Sequence, residues 1–194
     1  MTVFYCCRCG VELTPELTAL PTVPDVPGLD NARPKGVCRA SATVPRGYFA
    51  IERSPWGAPF VRQEDQASPL PSQPRGPVMV TEEQGFVISA GVRDTVVLHP
   101  DDAPGLVPLP GWENSTGCCG PNGNYGLNRA CPCRAQLATL AADCMGPYEL
   151  HLDPVRTYAF GSEGAPIELL QRPEPRVRRE SCSPPRIQLA KLLS

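Results

Sequence analysis

Five of the ten cysteines in this 194-residue chain fall between Gly117 and Cys144, namely Cys118, Cys119, Cys131, Cys133 and Cys144. Three more stand together near the N-terminus, at Cys6, Cys7 and Cys9. Thiols at this density close disulfides, exchange electrons or hold a metal ion. The chain has only two histidines. A metal site here would therefore be thiolate-rich, a donor set that favours zinc over imidazole-rich iron or copper sites.

The sharpest spacing is Cys6-x-x-Cys9 followed by Gly10. Two thiolates so placed face one tetrahedral ion when the backbone turns tightly between them. A glycine after the second permits the positive φ that aims backbone N–H groups at the sulfurs. Thr2–Tyr5 and Val11–Thr14 read as two short strands flanking the turn. This short stretch resembles the first half of a zinc ribbon, in which two such knuckles clamp one ion. The resemblance implies a structural metal and no activity. Cys7 lies between the ligand positions and reads as a bystander.

Cys131-Pro132-Cys133 is a closer pair with a narrower bite. The simplest closed site joins the two pairs, Cys6 and Cys9 with Cys131 and Cys133, and staples the N-terminus to the centre of the chain. Cys118, Cys119 and Cys144 then form a second constellation or substitute for a ligand. A local set of Cys119, Cys131, Cys133 and Cys144 competes, as do buried reduced thiols without metal and a disulfide framework. The expected cofactor is structural zinc, as one or two ions.

Nothing else in the chain assembles a reaction centre. His99 ends a strand-like run before Pro100-Asp101-Asp102, where it is suited to capping. His151 falls on the polar side of the alternating run Tyr148–Asp153, where solvent is its simplest neighbour. Glycines at 117, 120, 123 and 126 are not followed by the Gly-Lys-Ser/Thr of a phosphate loop. The expected function is a non-enzymatic, zinc-stabilised binding or adaptor module with a protein partner. The rival is a redox or soft-metal-handling protein working through Cys118/Cys119 or Cys131/Cys133.

These cysteines must be positioned by short elements, because 25 prolines preclude long helices. The expected fold is mainly β with little helix, rich in loops and proline, stabilised by zinc and ending in a disordered or extended tail. Residues 1–171 read as one domain, with a knuckle hairpin at 1–14, a Pro-rich strap at 15–35 and a possible internal linker at 63–77. Runs at Val78–Val80, Gly85–Ala90 and Asp94–His99 read as strands, the last two joined by a hairpin connection at Gly91–Asp94. Residues 136–141 lean towards strand, although Ala, Gln and Leu favour helix by propensity. Cys38 stands alone and reads as a buried thiol.

Charge is unevenly spread. Residues 172–194 hold six basic and two acidic side chains, a balance of +4 that leaves 1–171 at −6. An acidic body argues against nucleic acid except through this basic, Pro/Arg-rich tail, whose apolar end, IQLAKLLS, fits a partner groove. No basic n-region with an apolar run opens the sequence, and no stretch is apolar enough to span a bilayer. The expected location is cytoplasmic, where thiols stay reduced.

Overall fold

The computed structural model describes residues 1–25 and 40–161. Cys38, the rest of the Pro-rich strap and the tail 172–194 lie outside the described residues. Within them the chain is mainly β. In chain order the first six strands are β1 (Thr2–Cys6), β2 (Thr18–Ala19), β3 (Tyr48–Glu52), β4 (Phe60–Arg62), β5 (Met79–Thr81) and β6 (Gly85–Ser89). They are followed by β7 (Thr95–Leu98), β8 (Val107–Pro108), β9 (Arg129–Ala130), β10 (Gln136–Ala141), β11 (Glu149–Leu152) and β12 (Thr157–Gly161). Two short 3₁₀ turns, Pro100–Asp102 and Trp112–Ser115, account for the described helix.

Seven strands form the central sheet in the order β2-β3-β7-β11-β10-β9-β8. Its middle strands, β7 and β11, are buried at every position. A strand covered on both faces suits the unbroken β-branched run Thr95-Val96-Val97. Among the described residues the Pro-rich strap contributes β2, at the sheet's edge, where prolines beside it cost no ladder bond.

β1 pairs with β12 in a separate ribbon, registered Thr2 to Gly161 and Cys6 to Thr157. The inward residues of β1 reach the main core. Phe4 meets Phe49 edge to face at 5.0 Å, and Leu13, Leu17, Leu98, Leu137, Leu150 and Leu152 fill the same cluster.

A third sheet, β4-β6-β5, corrects one expectation. Gly91–Asp94 does not join a hairpin: β6 pairs with β4 and β5, whereas β7 pairs with β3 and β11. The connection carries the chain from one sheet into another. Asp94 takes the left-handed conformation (φ 59°), and Trp56 bridges to Val92 across it.

Residues 63–77 are packed against this third sheet. The Gln63 amide donates to the carbonyls of Leu70 and Val87 (2.8 and 2.9 Å), and Gln73 accepts from the Gly57 N–H at 3.0 Å. The segment also carries Arg75 to the central sheet. Its guanidinium bonds Glu149 through two nitrogens (2.6 and 3.3 Å) and Glu52 through a third (2.7 Å).

Candidate metal centre

Two tight turns build the main cysteine cluster. The first opens at the end of β1, where the Gly10 N–H donates to the Cys6 carbonyl at 2.9 Å and Gly10 sits at φ 72°. The Cys6 N–H returns to the Val11 carbonyl (2.9 Å), so the chain doubles back beside β1. The second turn lies between β9 and β10. There the Arg134 N–H donates to the Cys131 carbonyl at 2.7 Å, and the Cys131 N–H to the Ala135 carbonyl at 2.8 Å.

The turns share a backbone device. The residue after the second cysteine is left-handed in both, Gly10 at φ 72° and Arg134 also at φ 72°. At Gly10 this is free of steric cost. At Arg134 an L side chain is held there, a strained choice that persists where surrounding structure demands it. No glycine marks the second turn, so the sequence carries no sign of it.

Folding brings the sulfurs of Cys6, Cys9, Cys131 and Cys133 within 4.8 Å of one another. Cys6 and Cys133 are 3.7 Å apart and Cys9 and Cys131 3.6 Å. Cys6 and Cys131 are buried, Cys133 is partly covered and Cys9 is at the surface. An Arg8 guanidinium N–H donates to the Cys133 carbonyl at 3.3 Å, bridging the turns. Burial pushes the thiols of Cys6 and Cys131 up. Burial also acts to raise Cys133, but the Ala135 backbone N–H and the neighbouring thiols bring it down to about 7. Four sulfur donors facing a common centre could hold a metal ion.

Cys7 lies in the first turn but outside this group. Its N–H donates to the Arg156 carbonyl (3.1 Å), and its sulfur is disulfide-bonded. The competing set of Cys119 with Cys131, Cys133 and Cys144 does not assemble, because Cys119 and Cys144 belong elsewhere.

They join Cys118 in a second cluster, again with all sulfurs within 4.8 Å. Cys118 and Cys119 are exposed and Cys144 partly covered. Hydrogen bonding with the thiols of Cys144 and Cys118 pushes Cys119 up to about 12. Asp143 lies under the cluster and accepts the Cys119 N–H at 3.1 Å. Neither cysteine cluster contains a disulfide.

The histidines lie apart from both clusters. His99 caps the first 3₁₀ turn, its Nδ1 accepting the Asp101 N–H at 3.1 Å. His151 corrects an expectation: it is buried, not solvated. Its ring stacks on Trp56 at 3.7 Å between centroids, and its nitrogens meet Thr95 Oγ1 (2.9 Å) and Glu149 Oε2 (2.8 Å). Burial, partly offset by Glu149, holds its pKa below the usual imidazole range. The neutral tautomer with Nε2–H donating to Glu149 and Nδ1 accepting from Thr95 satisfies every group. Period-2 alternation had marked residue 151 as polar. It could not show that Arg75 and Trp56 would cover that face.

Comparison with protein-family models, with curated proteins and with solved structures returned no match. The candidate site therefore rests on its own geometry. No helix among the described residues is long and apolar enough to cross a membrane.

Proposed function

We propose that Cys6, Cys9, Cys131 and Cys133 hold a structural zinc ion, and that the stapled body is a binding module for a protein partner. The four-sulfur shell carries the reading. Zinc–sulfur bonds of about 2.3 Å in a tetrahedron place neighbouring sulfurs roughly 3.8 Å apart. The Cys6–Cys133 and Cys9–Cys131 separations, 3.7 and 3.6 Å, fit that shell. Four protein ligands leave no open position for a substrate or water, which suits a structural ion and not a reacting one.

The outer face of the β4-β6-β5 sheet supports the binding part. Val87 is fully buried, so its strand neighbours Phe86 and Ile88 point to the opposite face. Register sets Val61 opposite Ile88 and Val80 opposite Phe86, which puts all four on one side. Val61 is 44% and Val80 65% exposed. An apolar stripe on a small sheet is a surface that a partner can cover. The reduced thiols of both clusters suit the cytoplasm expected from the sequence, whereas the disulfide at Cys7 speaks for access to an oxidant.

Elemental analysis of anaerobically purified protein tests the zinc. The expected result is tightly held zinc lost on Cys131→Ser, with a fall in the unfolding midpoint on chelation. Folded, metal-free protein whose midpoint ignores chelators would overturn it.

A further inference from the structure

Cys118, Cys119 and Cys144 form a site of a different kind. Cys118 and Cys119 are neighbours in sequence, yet their sulfurs lie 3.8 Å apart and share the face that Cys144 reaches. Extended backbone would send successive side chains to opposite sides. Here the loop is bent and pinned to the end of β10. The Asn122 N–H donates to the Thr116 carbonyl and the Ala142 N–H to the Pro121 carbonyl, both at 2.7 Å. Gly117, at φ 147°, makes the close approach possible, since a side chain there would strike the Gly120 carbonyl oxygen and crowd Asp143. The three sulfurs are thus positioned before any ligand arrives.

We propose that Cys118, Cys119 and Cys144 bind a soft monovalent cation, Cu(I), in an exchangeable three-thiolate site at the surface. The donor set decides the class of ion. All three ligands are sulfur, a set shared by Cu(I), zinc and iron–sulfur clusters, and three thiolates suffice for the low coordination that Cu(I) accepts. A tetrahedral zinc ion would want a fourth donor, and among the described residues no histidine or carboxylate joins the group. Asp143, the nearest carboxylate, is turned to backbone N–H groups, including that of Cys119. The histidines are held by Asp101 and by Glu149 and Thr95.

Exposure decides the exchange. Two of the four staple ligands, Cys6 and Cys131, are buried, whereas the second cluster buries none: Cys118 and Cys119 are open to solvent and Cys144 is partly covered. A partner thiol can therefore approach the bound ion and take it by ligand substitution. Copper enters as Cu(I) and stays Cu(I). The thiols that ligate it release their protons to solvent, and no electron is transferred.

The test uses the full chain with its resident metal, kept anaerobic and titrated with Cu(I) supplied as a bicinchoninate complex. The expected result is uptake of one Cu(I) per chain with the resident ion retained, and X-ray absorption showing a sulfur-only shell of three. Losing a supporting residue around a metal costs about 10–100-fold in affinity, so losing a ligand in Cys119→Ser or Cys144→Ser should cost at least about 100-fold. Both variants should keep the resident ion and the unfolding midpoint. Failure to take copper from the chelator, or uptake unchanged in both variants, overturns the proposal. So does uptake that occurs only as the resident ion leaves, or retention of a second zinc against excess Cu(I). Counting each metal separately distinguishes this failure from failure of the zinc staple.

Discussion

Replacing Arg75 with methionine removes the cation that faces two buried carboxylates while keeping most of the side chain's bulk. Arg75 is 13% exposed and Glu149 0%, and the guanidinium holds Glu149 at 2.6 and 3.3 Å and Glu52 at 2.7 Å. Removing one partner of such a buried pair leaves an uncompensated charge and costs about 3–5 kcal/mol. Glu149 adds a sign that can be checked. Burial alone would raise it, but the hydrogen bond with His151 and the hydrogen bonds and charge of Arg75 bring it from 4.5 down to about 2. A depressed carboxyl contributes stability that is complete above 4.5 and is lost as pH falls towards 2. In Arg75→Met only the His151 hydrogen bond still opposes burial, so the Glu149 carboxyl rises and the variant regains ground in acid relative to the parent. Urea unfolding of the metal-loaded protein at neutral pH and at about pH 5 should show the deficit shrinking on acidification. Adding Glu149→Gln to the variant should recover part of the loss at neutral pH. A neutral-pH deficit below about 1 kcal/mol, the scale of a surface pair, would refute the reasoning, as would a deficit that ignores pH.

Three further outcomes follow from named contacts. His151 has a lowered pKa, so the unfolded chain takes its proton first and stability falls as pH drops below 6.5. His151→Gln should flatten that decline in a series of thermal melts. Gly117→Ala sets a methyl against the Gly120 carbonyl and should cost about 1–3 kcal/mol. Its control in the same denaturant series is Gly105→Ala, with nothing within 4 Å, which should stay within about 0.5 kcal/mol. Val80→Asp lies on the exposed apolar stripe and should leave stability within about 0.5 kcal/mol while weakening partner binding measured by calorimetry.

Local chemistry was legible where residue type alone sets the backbone. Gly10 after Cys9 announced its turn, and β-branched runs announced β6 and β7. What could not be read was decided by distant chain. Which strand β6 joins depends on β4 and β5, not on the four residues that lead to β7. Arg134 adopts a left-handed turn directly after Cys133, against its own preference. Residues 63–77 look like linker by composition, yet Arg75 reaches Glu149 across 74 positions of sequence. Polarity in that segment is spent on partners inside the protein, and composition cannot tell an interior partner from water.

The position of the staple predicts where the molecule opens first. β1 and β12 form a ribbon outside the seven-stranded sheet, tied to it by side-chain packing, by the backbone bridge of Thr2 to Leu17 beside β2 and by the two cysteine turns. β7 and β11 instead have a strand on each side and are buried throughout. Withdrawing the ion should therefore loosen the turns before the sheet, because local opening follows the segments with fewest independent supports. Hydrogen exchange on chelated protein should show the amides of Cys6, Gly10, Cys131 and Arg134 accelerating by more than about tenfold, equivalent to 1.4 kcal/mol of lost local stability. Those of Val97, Leu98 and Leu150 should keep their protection until global unfolding. Equal acceleration at both sets would mean that the ion supports the whole core, and no acceleration at the turns would mean that the four sulfurs close without it.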